Sequence, residues 1–147
     1  MEGMFYGFTS FESIDLSNFK APLLTNLHKT FFHCSALKSI DLSKLETQSL
    51  SDIGSIFRGC ISLEYLDISG LNFIKTKESS NMFFNTGNLK YVNLYDIKAF
   101  DGFLQDLTWE FGINNKENLI VCQSQRFITH PKLMNLCCKY NIEINDC

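Results

Sequence analysis

Leu37-Lys38-Ser39-Ile40-Asp41-Leu42-Ser43-Lys44-Leu45-Glu46 is the stretch on which the reading turns, because it recurs. Phe11-Glu12-Ser13-Ile14-Asp15-Leu16-Ser17-Asn18-Phe19 matches it upstream. Leu63-Glu64-Tyr65-Leu66-Asp67-Ile68-Ser69-Gly70-Leu71 and Leu89-Lys90-Tyr91-Val92-Asn93-Leu94-Tyr95-Asp96-Ile97 match it downstream. Each copy begins 26 residues after the one before. A fixed period of this length is the mark of a repeat architecture and has to be read before any local motif.

Taking Met4, Thr30, Ile56 and Met82 as the first position of each unit, the second is Phe in all four: Phe5, Phe31, Phe57 and Phe83. The eighth, eleventh, thirteenth and sixteenth positions are apolar throughout, as in Leu37, Ile40, Leu42 and Leu45. The eleventh and thirteenth alternate with polar neighbours, the period-two signal of a short half-buried strand. One such strand buries little alone; stacking the next unit pairs its backbone and covers its apolar side. Parallel strands about 4.8 Å apart are therefore expected, with the second-position Phe rings stacked as a spine. The pattern L-x-x-I-x-L-x-x-L resembles a leucine-rich repeat.

The second half of each unit is less regular. Leu24 aligns with Leu50 and Leu27 with Ile53, but the third unit has Thr76 and Ser79 there, inside the polar run Lys75-Thr76-Lys77-Glu78-Ser79-Ser80. That run is expected to be a solvated turn on the convex side, and no long helix is expected in these segments.

The units Met4-Phe5-Tyr6-Gly7-Phe8-Thr9-Ser10-Phe11 and Ile56-Phe57-Arg58-Gly59-Cys60-Ile61-Ser62-Leu63, with the strands that follow them, resemble the BspA-like leucine-rich repeat, whose unit is close to M-F-x-G-C-x-S-L-x-x-L-D-L-S-x-F. Phe8 and Thr86 depart from its Cys, and His33 and Asn85 from its Gly. The resemblance covers residues 4 to about 98. It implies surface proteins, often adhesins or matrix-binding proteins, without enzymatic activity.

After Phe100 the period degrades. Phe100, Leu104, Leu107 and Phe111 form a helical stripe, and Trp109 lies near a fifth second-position slot. Leu119-Ile120-Val121-Cys122 reads as a fifth strand, His130-Pro131 as the start of a short helix, and Ile142-Glu143-Ile144 as a final strand. The fold expected is thus an α/β-type repeat: a leucine-rich-repeat solenoid with short parallel strands, a mostly irregular convex side and a C-terminal α/β cap. Residues 4–98 hold four repeats (4–29, 30–55, 56–81, 82–98 onward), and 99–147 a degenerate fifth repeat and the cap, which an open solenoid end requires.

Composition narrows function. The chain has 147 residues, 45% of them hydrophobic, and a net charge of −3. A nucleic-acid footprint is not expected at that charge. No apolar run of 18 residues exists, so no membrane span is expected. The N-terminus lacks the charged and apolar regions of a signal peptide. The sequence reads either as cytosolic or as a piece of a longer chain, and the repeat begins at Met4 with no capping segment before it. The compartment stays open, with the cell surface suggested by the resemblance alone.

The twelfth position, facing outward on the sheet, carries Asp15, Asp41, Asp67 and Asn93. Like charges opposite one another destabilise a sheet, so solvent, the serines Ser17, Ser43 and Ser69, a cation or a basic partner must offset them. Calcium needs six to eight oxygens, more than the ladder supplies. The ninth position alternates Glu12, Lys38, Glu64 and Lys90, a cross-strand pairing device worth about 0.2–1 kcal/mol per exposed pair. The tenth and fourteenth positions change from small to aromatic along the array, so Tyr65, Tyr91 and Tyr95 are expected to cluster on the sheet face. Exposed tyrosines are common interface anchors, and equally fit strands for structural reasons. Cys34 and Cys60 share the fifth position and read either as buried core residues or as a disulfide. Cys122, Cys137, Cys138 and Cys147 with His130 form a loose metal-like set without paired C-x-x-C motifs; a disulfide from Cys122 or Cys137 to Cys147 is the stronger reading if the chain is secreted.

No Walker loop, G-x-S-x-G, H-E-x-x-H or G-x-G-x-x-G occurs. The expectation is a non-enzymatic protein-interaction module without cofactor or metal, using Tyr65, Tyr91, Tyr95, Asp15, Asp41, Asp67 and Asn93 toward a protein partner of host, matrix or assembly. The alternative is a structural subunit docking end to end through its N-terminal repeat.

Overall fold

Six short strands form: β1 (Ser13–Ile14), β2 (Ser39–Asp41), β3 (Tyr65–Asp67), β4 (Tyr91–Asn93), β5 (Ile120–Gln123) and β6 (Glu143–Asp146), the first four set by alternating apolar positions flanking Asp or Asn. The computed structural model describes residues 1–99, 119–123 and 143–146. All pairings are parallel and the strands follow one another in sequence order across the sheet. The register keeps the repeat: Ile14 pairs with Ile40, Ile40 with Leu66, and Leu66 with Val92. Beyond β4 the spacing changes, Tyr91 pairing with Ile120 and Ile120 with Glu143. Among the described residues there is no helix. A parallel sheet with one strand per 26-residue coil is compatible with a repeat solenoid. The helices expected around 100–111 and 131–140, and with them the cap, lie outside the described residues.

The opposite side of each coil is held by the Phe column. Rings of Phe5, Phe31, Phe57 and Phe83 stack nearly parallel with centroids 5.3, 5.6 and 5.7 Å apart. Phe31, Phe57 and Phe83 are fully buried, while Phe5 is half-buried in the first coil. The backbone beside them satisfies itself between coils. Gly3, Phe5 and Gly7 donate their N–H groups to the carbonyls of His28, Thr30 and Phe32. Lys29, Phe31 and His33 do the same to Gly54, Ile56 and Arg58. Buried peptide groups need such partners, and here they find them without a regular strand.

Left-handed backbone makes this possible. Gly7, His33, Gly59 and Asn85 share the fourth position and have φ of 72°, 57°, 77° and 63°. Only glycine adopts this region without steric cost, which explains the repeat's preference there. A second column, Gly3, Lys29, Ser55 and Asn81, has φ of 59°, 53°, 56° and 56°. Gly59 has a further reason: a Cβ there would lie 2.9 Å from Nδ1 of His33.

The two buried thiols find partners. Cys34 and Cys60 are free and buried, each Sγ donating to a Phe carbonyl of the preceding coil, Phe5 at 2.9 Å and Phe31 at 3.0 Å. Burial pushes their thiols up to about 11 and about 12. The stretch Lys75–Ser80 differs from the solvated turn expected for it: Lys75 and Lys77 are exposed, but Thr76 is buried in the column of Leu24 and Leu50, its hydroxyl 3.5 Å from the Leu50 carbonyl. A threonine can stand in a leucine column because its hydroxyl finds that carbonyl while its methyl keeps apolar contact.

Candidate protein-interaction face

The twelfth-position side chains close the end of each strand. Oδ1 of Asp15 accepts the N–H of Ser17 at 2.8 Å, Asp41 that of Ser43 at 2.7 Å, and Asp67 that of Ser69 at 2.8 Å. Asn93 does the same for Tyr95 at 2.9 Å. A short carbonyl-bearing side chain is therefore needed to satisfy the N–H two residues on. These donors are what offset the stacked carboxylates. The Ser17 hydroxyl and N–H hold the Asp15 carboxyl below its ordinary value. Asn93 relieves the last step of the ladder, its amide donating to Oδ2 of Asp67 at 2.9 Å. Among the described residues, Oδ2 of Asp41 has no side-chain partner.

Beside this column the ninth-position charges pair in twos. Lys38 Nζ lies 2.8 Å from Glu12, and Lys90 Nζ 2.8 Å from Glu64. The hydrogen bond to Glu64 raises the Lys90 ammonium above its ordinary value.

The tenth position forms the floor and wall of a hollow of about 390 Å³. Ser13 and Ser39 leave it open over β1 and β2, while Tyr65 and Tyr91, cross-strand partners in β3 and β4, fill its other side. Asp41 and Asp67 also line it. Tyr65 is 51% exposed and Tyr91 half-buried. Four of the residues singled out from sequence thus meet in one place. Asp15, Asn93 and Tyr95 are not among its lining residues; Tyr95 sits in the turn after β4, 47% exposed, its carbonyl accepting from the Gly70 N–H.

Two further columns escaped the sequence reading. At the third position, Tyr6 stacks on Phe32 at 4.9 Å, and the Arg58 guanidinium lies 5.8 Å from the Phe32 centroid and 4.8 Å from that of Phe84. The signal was the same 26-residue period, hidden because the column mixes tyrosine, phenylalanine and arginine. On the far side, Asn26, Asp52 and Glu78 are bridged in parallel, with His28 Nδ1 3.2 Å from Asp52. Hydrogen bonds from the Ser80 hydroxyl and N–H hold the Glu78 carboxyl below its ordinary value.

The family described as "Mycoplasma protein of unknown function, DUF285" matches residues 1–106. The chain belongs to this family. DUF285 is associated with BspA-like surface repeat proteins. No curated protein and no solved structure matches the chain. Cys122, in β5, is disulfide-bonded, whereas Cys34 and Cys60 are free. Among the described residues no three His, Cys, Asp or Glu converge in a metal-holding group, and no helix is long and apolar enough to cross a membrane.

Proposed function

We propose that this DUF285 protein is a non-enzymatic recognition module, a BspA-like leucine-rich-repeat solenoid closed at its C-terminal end by residues 99–147, which binds a protein partner through the face of β1–β4. The observation that carries this reading is the hollow in which Tyr65 and Tyr91 stand beside Asp41 and Asp67. Half-exposed tyrosines lose little rotamer freedom on binding and supply large contact area. Repeat proteins vary side chains along one extended face while holding the rest constant, and the change from serine to tyrosine at the tenth position follows that logic. The disulfide at Cys122 supports work outside the reducing cytosol, where such bonds persist.

The test is selection of a random-peptide phage library on the immobilised protein. Binders recovered on the wild type should lose binding to Tyr65→Ala/Tyr91→Ala, with circular dichroism unchanged. Binders indifferent to that double variant would place recognition elsewhere.

A second reading, a structural subunit docking through its first coil, is favoured by the apolar surface there. Met4 and Phe8 are each 48% exposed and Leu23 84%, beside the edge-packed rings of Phe5, Phe8 and Phe11. A stable complex surviving Tyr65→Ala/Tyr91→Ala but lost in Phe8→Lys would select this reading over the first.

A further inference from the structure

We infer that the occupant of the β1–β4 face is an extended polypeptide segment carrying arginine or lysine; this rests on the recognition reading above and specifies its partner. The argument is one of charge complementarity across an unpartnered sheet face. The two lysines on it, Lys38 and Lys90, are each bonded to a neighbouring glutamate, so the ninth-position column is neutral pair by pair. The twelfth-position column has no such compensation: Asp15, Asp41 and Asp67 form no ion pair among the described residues. Backbone N–H groups take one oxygen of each, the Ser17 hydroxyl also bonds Asp15 and the Asn93 amide Asp67, and the second oxygen of Asp41 remains as an acceptor. An anionic segment would meet three carboxylates, and both ninth-position lysines are already paired. A cationic one supplies the missing charge.

The relief of the face fits a long-stemmed cation in particular. The small Ser13 and Ser39 of β1 and β2 line the hollow together with Tyr65 of β3, Asp41 and Asp67. A side chain laid over the serines can place its aliphatic stem against the Tyr65 ring and its charged head at the Asp41 carboxylate. A guanidinium gains in addition from the ring face, by a cation–π contact. The protein already uses that contact: Arg58 lies against Phe84 at 4.8 Å and Phe32 at 5.8 Å in a neighbouring column. An extended segment presents every second side chain to one surface, so its backbone can cross the strands while alternate residues enter the hollow.

The experiment is fluorescence anisotropy of the full chain with three labelled peptides of equal length, a Gly-Arg repeat, a Gly-Glu repeat and a Gly-Tyr repeat. The Gly-Arg peptide is expected to bind, and to weaken as salt rises and the Debye length falls from ~30 Å at 0.01 M to ~8 Å at 0.15 M. Asp41→Asn should weaken it by about tenfold, as loss of a charge-assisted bond does. Asn93 already fills the equivalent turn, so this variant keeps the fold. Tyr65→Ala should weaken it too. Equal affinity for the arginine and glutamate peptides, or binding of the arginine peptide that Asp41→Asn leaves unchanged, overturns the inference. Binding of the Gly-Tyr peptide alone, sensitive to Tyr65→Ala, overturns the cationic partner while leaving the recognition face standing. Failure of all three overturns the inference, and the phage selection then decides separately whether the face binds anything.

Discussion

The two flanks of each coil are built by opposite rules. On the spine side the same residue returns four times, and Phe31, Phe57 and Phe83 disappear entirely from solvent. On the strand side the eleventh position is equally buried and constant in kind, but its tenth-position neighbour runs Ser13, Ser39, Tyr65, Tyr91. Both columns obey one period and share one hydrogen-bonded frame. Constancy marks what stacking requires; variation marks what stacking leaves free. That contrast, more than any single residue, points to the strand side as the working surface.

The sharpest way to break the frame is Phe57→Ala. Its ring is 2% exposed and stacked on both neighbours, so removal opens a cavity in mid-spine. A loss of about 3–5 kcal/mol is expected from urea unfolding. Gly59→Ala should follow, at about 1–3 kcal/mol, because φ of 77° and the nearby His33 ring both oppose a Cβ. Asp67→Ala should lose about 0.5–1.5 kcal/mol, leaving the Ser69 N–H without its acceptor, and Asp67→Asn less. The opposite sign is expected at Ser55, a non-glycine residue at φ 56°: Ser55→Gly should raise the unfolding free energy by up to about 1 kcal/mol.

Much of this architecture was legible because the period is strict. The Phe spine, the strand positions and the Glu12–Lys38 and Glu64–Lys90 pairs all follow from residues recurring at one spacing with one chemistry. What stayed hidden lacks a residue signature. The left-handed column Gly3, Lys29, Ser55, Asn81 contains one glycine, so nothing in its composition announces positive φ. Thr76 looked solvated because its neighbours are lysines, yet the coil geometry turns it inward. At the site, Asp41, Asp67, Tyr65 and Tyr91 could be named from the period. The division of labour within Asp41, one oxygen for the turn and one left over, needs the backbone to be seen.

Acid titration probes the smallest effect. The carboxyls of Asp15 and Glu78 are held down by Ser17 and Ser80, so their folded values lie below the unfolded ones. Their contribution is fully present above the ordinary glutamate value of 4.5 and is lost as pH falls through the lowered folded values. Lys90 has the opposite sign: its contribution is present below its ordinary value of 10.5 and fades as pH rises through the raised one. The urea midpoint should therefore decline modestly at both extremes.

The most direct test sets the two flanks against each other in one pair of assays on Tyr65→Ala/Tyr91→Ala: urea unfolding, and binding of the peptides selected on the wild type. The account predicts a midpoint close to wild type, since each exposed strand tyrosine contributes at most about 1 kcal/mol, together with loss of binding. A variant that unfolds as readily as Phe57→Ala, or that is stable and still binds, would contradict it.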